Sequence, residues 1–142
     1  MPGPPLVIVV AGPNGAGKTT FVESCLRAHP SPYLSAEAIA ARLAGAATED
    51  PRLAESTIED GRAAGPAMED VRLQAGRQFL AEIQRRASRR DHFVVESTLS
   101  GLSFRRVLAA LREVGYWIAI NFIFLRSAES SVLRVEARVR RG

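Results

Sequence analysis

The chain is poor in lysine and in cysteine. Lys18 is the one lysine among 19 basic residues, and Cys25 is the one cysteine in 142 residues. A single cysteine excludes an internal disulfide, so we expect a protein of a reducing compartment, the cytoplasm. With 46% apolar and 24% charged residues, the composition is typical of a soluble globular protein. Its length predicts a single domain over residues 1–142, with a flexible lead-in at 1–5.

Long hydrophobic runs are missing as well. The longest apolar stretch, Trp117–Leu125, is interrupted by Asn121 and is too short to cross a bilayer. No basic region precedes Leu6–Val10, which argues against a signal peptide. We therefore expect no membrane partner.

The positive charge has no accompanying signature of nucleic-acid binding. The net charge is +4, and the densest basic cluster contains Arg85, Arg86, Arg89 and Arg90. This cluster ends a helical pattern, where positive charge is favourable, and carries no aromatic residues for base stacking. A solvated helix end explains it, so nucleic acid is not an expected partner.

The single lysine lies in a phosphate-binding motif. The pattern GxxxxGK[ST], extended by one threonine, comprises Gly12, Pro13, Asn14, Gly15, Ala16, Gly17, Lys18, Thr19 and Thr20. Its glycines let the backbone turn tightly and approach phosphate oxygens, and its lysine supplies a compact charge that arginine cannot imitate. The motif predicts that the chain binds a nucleoside triphosphate.

The flanking residues support this interpretation. The apolar, β-branched run Leu6–Ala11 is typical of a strand buried in a parallel sheet, and Lys18–Arg27 can form the helix that follows. Backbone N–H groups and the positive end of the helix dipole would then face the anion. We expect Lys18 to reach the β- and γ-phosphates of ATP and the Thr19 hydroxyl to hold Mg²⁺.

Strands and helices alternate along the rest of the chain. After Tyr33-Leu34, a very short strand candidate, Ser35 can cap a helix to about Leu43. The further predicted elements are a helix over Pro66–Arg89 with Val71, Phe79, Leu80 and Ile83 on its apolar face, a strand over Asp91–Glu96, a helix over Gly101–Val114 capped by Gly115, a strand over Tyr116–Leu125 and a helix over Ser127–Arg140. This order predicts a three-layer α/β P-loop NTPase fold with a mostly parallel sheet, as in small kinases.

Two acids follow predicted strands at the edge where such sheets bind ligands. Glu96 ends the second long strand, and Glu37 begins the helix after Tyr33-Leu34. An acid beside the phosphate loop can order Mg²⁺ through water, bind a substrate hydroxyl or accept its proton, and the residues alone do not separate these roles. Glu37 can also serve only to compensate the helix dipole.

Four segments in this order resemble the zeta-toxin family of P-loop kinases. They are the loop at 12–21, Ser-Ala-Glu-Ala-Ile-Ala at 35–40, Phe-Val-Val-Glu-Ser-Thr-Leu-Ser-Gly at 93–101, and Gly115-Tyr116 with the following strand and Arg134–Val139. The phosphate loop alone is shared by many NTPases, whereas the four segments together are specific to the family.

The resemblance implies a kinase that transfers the γ-phosphoryl group of ATP to a sugar hydroxyl of UDP-N-acetylglucosamine. By position, Glu37 replaces the family's general-base aspartate, Glu96 and Thr98 match residues that hold the sugar nucleotide, and Arg138 matches an arginine that clamps the transferring phosphate. A toxin of this kind also implies an antitoxin protein that blocks the ATP site.

The chain departs from the family pattern in two places. The base position holds Glu37, whose carboxylate lies one methylene farther from the backbone than that of an aspartate. The sequence stops at Arg140-Arg141-Gly142, where family members continue into a segment that carries a second phosphate-clamping arginine. These departures keep a catalytically degenerate ATP-binding module open as an alternative. A kinase of another small metabolite is the other alternative.

Overall fold

Four strands and four helices have both ends within the part of the chain that the structure describes. The computed structural model describes residues 2–48, 66–99 and 101–124, together with residues 136, 137 and 140. The strands are β1 (Leu6–Ala11), β2 (Tyr33–Ser35), β3 (Phe93–Ser97) and β4 (Trp117–Phe122). The helices are α1 (Lys18–Ala28), α2 (Ala36–Thr48), α3 (Pro66–Arg89) and α4 (Leu102–Glu113).

The strands form one parallel sheet in the order β2-β3-β1-β4. The central strand β1 pairs with β3, placing Val10 opposite Glu96, and with β4, placing Val10 opposite Asn121. Val7, Val9 and Val10 have no solvent exposure, as expected of a strand covered on both faces. The predicted three-layer α/β fold is confirmed.

The chain divides into two compact units, and the first comprises Met1–Tyr33 and Arg86–Gly142. Its core joins β1, α1 and β3 through Val10, Val22 and Val94. Partly buried side chains pack against that cluster, namely Ile8, Phe21, Leu26, Tyr33 and Ile123. The phosphate loop therefore lies between two elements, β1 and α1, that are packed against one another.

The second unit spans Leu34–Arg85 and contains α2 and most of α3. Ala75, Phe79 and Ile83 are buried along α3 at intervals of four residues. The predicted apolar face is confirmed for Phe79 and Ile83 but is wrong for Leu80, which is 42% exposed. Leu80 follows Phe79 by one residue, about 100° around the helix, and so lies off this stripe.

Several predicted boundaries shift by a few residues. The helix α2 continues to Thr48, beyond the expected end near Leu43. The strand β4 begins at Trp117 and ends at Phe122, whereas the prediction ran from Tyr116 to Leu125. Tyr116 is instead used to close α4, since its N–H bonds to the carbonyl oxygen of Leu111 at 3.0 Å.

Most of the predicted closing helix over residues 127–140 lies outside the described residues. Within that range the structure describes residues 136, 137 and 140, and all three are helical. Among the helices that the structure describes, no segment combines the length and apolar character needed to span a bilayer.

Candidate functional site

The phosphate loop has the backbone of a tight anion-binding turn. Gly12, Gly15 and Gly17 adopt positive φ angles of 146°, 79° and 100°. The N–H of Ala16 bonds to the carbonyl oxygen of Pro13 at 3.2 Å, which closes the turn. Gly17 is the N-cap of α1 and provides no side-chain cap, and the first turn contains no acid. At such a helix end the backbone N–H groups and the positive end of the helix dipole favour an anion.

Lys18 is held over its own loop. Its ammonium Nζ donates to the carbonyl oxygens of Gly12 at 2.7 Å and Pro13 at 2.9 Å. The residue is only 6% exposed. These bonds keep the positive charge beside the turn, from which the flexible stem can extend to a phosphate.

The remaining loop residues differ in exposure. Pro13, Asn14, Thr19 and Thr20 are exposed, whereas Gly15 and Ala16 are buried. Thr19 follows Lys18 in the first turn of α1 and is open to solvent. Mg²⁺ in such sites is bound by one or two protein oxygens and the substrate phosphates rather than by an all-protein cage. Within the described ranges no group of three His, Cys, Asp or Glu side chains could hold a metal. A single threonine hydroxyl fits the ATP-bound mode of binding.

Ile123, the residue that follows β4, contacts the phosphate loop at its start. The N–H of Ile123 bonds to the carbonyl oxygen of Ala11 at 2.7 Å, directly before Gly12. A Cβ atom at Gly12 would overlap the Ile123 carbonyl oxygen. Glycine is required here by this close approach as well as by its φ angle.

Glu96 lies at the carboxyl end of β3, beside the phosphate loop. It pairs in register with Val10, two residues before Gly12. The residue is 9% exposed, and its Oε2 accepts a hydrogen bond from the hydroxyl of Tyr33. The sheet thus holds a buried carboxylate that accepts an O–H bond one strand away from the loop.

The segment after Glu96 turns sharply. Leu99 has a φ of 54°, an uncommon value for a leucine, and its N–H bonds to the Ser97 Oγ at 3.0 Å. Thr98, between them, is exposed. Backbone strain of this kind is concentrated at ligand-binding segments.

Glu37 and Arg138, the other two predicted site residues, are not among the described residues of the first unit. Glu37 is exposed in the first turn of α2, in the second unit. The predicted cap before it is present, because the Ser35 Oγ accepts the N–H of Ala38 at 3.3 Å. Arg138 lies outside the described residues. The roles assigned to Glu37 and Arg138 remain predictions.

Sequence reasoning missed Tyr33. The sequence predicts only a short strand at Tyr33, and no motif marks the residue as a partner of Glu96, which is 63 positions away. A signal was available in principle, since Tyr33 opens a strand of a sheet in which another strand ends in an acid. Nothing local indicated that β2 and β3 would be neighbours.

A cavity of about 910 Å³ lies elsewhere, between α4 and β4. Arg105, Leu108 and Arg112 contribute to it from the helix, and Trp117 and Ile118 from the strand. None of the predicted site residues lines it. It is therefore separate from the phosphate loop.

The fold and the phosphate loop together define the class: this is a P-loop kinase-like α/β domain. A family model described as an AAA domain matches residues 7–142, and the chain belongs to that family. A Haemophilus influenzae relative, named only as an uncharacterized protein, is 26% identical over 135 residues. The match covers 95% of this chain and 81% of that protein.

Solved structures show the same fold. A candidate kinase from Chloroflexus aurantiacus superposes with a TM-score of 0.76 at 16% identity, covering 99% of this chain and 70% of that one. A chain of the PezAT chromosomal toxin-antitoxin system of Streptococcus pneumoniae gives 0.74 at 20% identity, covering 96% and 54%. A chain of the Pnkp1/Rnl/Hen1 RNA repair complex gives 0.64 at 17% identity, covering 100% and 40%. This chain thus spans about half or less of the last two.

Proposed function

We propose that the protein transfers the γ-phosphoryl group of ATP to a sugar hydroxyl of UDP-N-acetylglucosamine. One observation carries the proposal: the buried Glu96 carboxylate beside the phosphate loop already accepts a hydrogen bond from a hydroxyl group. An acceptor hydroxyl would make the same kind of contact. The four-segment resemblance to zeta toxins supports the choice of acceptor.

On the nucleotide side, the chain's own groups hold and neutralise the triphosphate. The N–H groups of the loop and of the first turn of α1 would bind phosphate oxygens, and Lys18 would exchange its bonds to Gly12 and Pro13 for the β- and γ-phosphates. The Thr19 hydroxyl would hold Mg²⁺, which neutralises charge on the same phosphates. Phosphoryl transfer depends mainly on such positioning and charge neutralisation.

On the acceptor side, Glu96 and Thr98 hold the sugar nucleotide. The acceptor oxygen bonds to the γ-phosphorus as the bond from that phosphorus to the β,γ-bridging oxygen breaks, and ADP leaves. Glu37 accepts the proton of the attacking hydroxyl, and Arg138 stabilises the charge on the transferring group. These assignments rest on the zeta-toxin resemblance.

An antitoxin protein that covers the ATP site is part of the same proposal. The similarity of the fold to a chain of the PezAT toxin-antitoxin system supports it. Such a partner should compete with ATP. Binding measured with and without saturating ATP would test this once a partner is in hand.

The function is tested by incubating the protein with ATP, Mg²⁺ and UDP-N-acetylglucosamine and analysing the products by mass spectrometry. We expect a product heavier than the acceptor by one phosphoryl group, about 80 Da, that is absent with Lys18→Ala. Glu37→Gln should lower kcat about 100-fold, since general-base catalysis contributes at least that factor.

The alternatives predict different results in the same assay. ATP binding that is lost in Lys18→Ala, without any phosphorylated product, would identify a catalytically degenerate nucleotide-binding module. Phosphorylation of another hydroxyl compound in an acceptor panel, with UDP-N-acetylglucosamine unchanged, would identify a kinase of a different small metabolite.

A further inference from the structure

We infer that Tyr33 is a positioning residue for the acceptor, acting through the Glu96 carboxylate. The inference rests on the proposed function, because it concerns how Glu96 holds the sugar nucleotide that is phosphorylated. No sequence motif and no part of the family resemblance assigns a role to Tyr33.

The contact between the two residues links neighbouring strands. Tyr33 opens β2, and its hydroxyl donates to the Oε2 of Glu96 at the end of β3. The strands are aligned at this point by the N–H of Val94, which bonds to the carbonyl oxygen of Pro32 at 2.8 Å. The backbone thus sets the phenol beside the carboxylate, and the hydroxyl fixes the orientation of that carboxylate.

The bond occupies one carboxylate oxygen and leaves the other for a ligand. Oε2 is taken by Tyr33, whereas Oε1 receives no hydrogen bond from the residues that the structure describes. Glu96 is 9% exposed, so the residue is not completely closed off from solvent. A buried carboxylate that could rotate would present an acceptor hydroxyl with several geometries. Because the Tyr33 hydroxyl holds Oε2, Oε1 is presented to the acceptor hydroxyl in a single geometry.

The ring and the hydroxyl of Tyr33 have separable functions. The ring packs against the cluster of Val10, Val22 and Val94, which phenylalanine would preserve. Tyr33→Phe therefore removes the donor to Glu96 while keeping the packing.

The chain offers a matched control, because it contains just one other tyrosine. The hydroxyl of Tyr116 is placed to donate to the backbone carbonyl oxygens of Asp91 at 2.9 Å and Arg86 at 3.2 Å, without a carboxylate. Tyr116→Phe removes a tyrosine hydroxyl of the same chemistry from another part of the same unit.

The experiment is a double-mutant cycle on the steady-state kinetics of the full chain. It compares wild type, Tyr33→Phe, Glu96→Gln, the double variant and Tyr116→Phe, with UDP-N-acetylglucosamine and ATP varied separately. We expect Tyr33→Phe to raise the acceptor KM about tenfold, because acceptor binding must then order a Glu96 side chain that Tyr33 no longer holds. The KM for ATP should be unchanged. In the Glu96→Gln background the same change should raise it less than about twofold, since the charged partner is already gone. Tyr116→Phe should leave both KM values unchanged.

The outcomes separate the inference from the proposed function. A wild type that phosphorylates nothing in the acceptor panel would sink the proposed function, and the inference with it. An active wild type with an unchanged acceptor KM in Tyr33→Phe would overturn the inference alone. An equal effect of Tyr33→Phe with and without Glu96 would also overturn it, because Tyr33 would then act independently of the carboxylate.

A spectroscopic measurement covers the case in which Glu96→Gln folds poorly. With Tyr116→Phe as background, Tyr33 is the sole tyrosine, and its ¹³Cζ resonance can be followed in selectively labelled protein. Adding the acceptor should shift this resonance, because the acceptor binds the carboxylate that Tyr33 contacts. A resonance unmoved at saturating acceptor would contradict the inference.

Discussion

At the residue scale, Gly12 shows how one missing Cβ shapes the phosphate loop. The residue has a φ of 146°, and the carbonyl oxygen of Ile123 occupies the space that a Cβ would need. Both the backbone angle and the contact therefore require glycine. Since the contacting atom belongs to the backbone of the β4 segment, it cannot move aside as a side chain could.

Gly12→Ala is expected to destabilise the fold by about 3 kcal/mol, because it combines backbone strain with overlap against a fixed carbonyl. Urea denaturation measures this. Gly76→Ala is the matched control: Gly76 lies within α3 with nothing within 4 Å of an added Cβ. That change should stabilise by about 0.5–1 kcal/mol through helix propensity. Equal effects at the two positions would contradict the contact.

Tyr116 makes stability depend on alkaline pH. Burial raises its pKa above the ordinary 10.0, the Asp91 charge raises it further, and Arg90 partly offsets both. The folded state thus holds the phenol proton more tightly than the unfolded chain does. The stabilisation is complete below pH 10.0 and is lost as pH rises beyond that value towards the folded-state pKa.

We expect the free energy of unfolding to fall more steeply above about pH 10 in the wild type than in Tyr116→Phe. Urea denaturation of both proteins at pH 8 and at successive pH values above 10 measures this difference in the free energy of unfolding. The contributions of the other titrating groups are the same in both proteins and therefore cancel. Parallel curves would show that Tyr116 is not the responsible group.

At the element scale, α3 and α4 end in the same way with different residues. After α4, Gly115 has a φ of 89°. Its N–H donates to the carbonyl oxygen of Arg112, and the N–H of Tyr116 donates to the carbonyl oxygen of Leu111. After α3, Arg90 has a φ of 58°. Its N–H donates to the carbonyl oxygen of Ala87, and the N–H of Asp91 donates to the carbonyl oxygen of Arg86. Both are Schellman motifs, for which glycine is the usual left-handed residue.

The pair predicts substitutions of opposite sign. Gly115→Ala should cost about 1 kcal/mol, because its Cβ would meet just the Arg90 side chain at 3.6 Å and the cost is conformational. Arg90→Gly should gain up to about 1 kcal/mol, less the contribution of its exposed bond to the carbonyl oxygen of Val114. Thermal unfolding of both variants checks the signs, and destabilisation by Arg90→Gly would show that its side-chain bond outweighs the strain.

At the scale of the whole molecule, the loop joins elements from distant parts of the chain. The phosphate loop follows β1 and precedes α1, and Ile123, the residue after β4, contacts the loop at Gly12. A ligand bound at the loop should therefore stabilise the first unit, to which these elements belong.

ATP with Mg²⁺ at 100 times its Kd is expected to add about 2.7 kcal/mol to stability, a rise in Tm of about 10 °C. Differential scanning fluorimetry of wild type and Lys18→Ala measures the shift. Lys18→Ala should show little of it at the same ATP concentration. An equal shift in both proteins would indicate that ATP does not bind through the loop.

Much of the fold and part of the site could be predicted because the signals were local. The apolar run of β1, the glycine spacing of the loop, the Ser35 cap, the proline start of α3 and the Gly115 end of α4 depend on neighbours within a few residues. Helix period, side-chain capping and φ restrictions act over that range. The Arg90 end of α3 was not predictable, since arginine carries no preference for a left-handed angle.

By itself, the sequence determined the class of the protein, because a phosphate loop between an apolar strand and a helix is encoded within some twenty residues. The tertiary structure alone decided which strands are neighbours. That order brings Tyr33 to Glu96 and the Ile123 carbonyl to Gly12, across 63 positions in the first case. Such contacts depend on the order in which β2, β3, β1 and β4 assemble. That order is determined by the packing of the whole sheet and cannot be predicted from local conformational preferences.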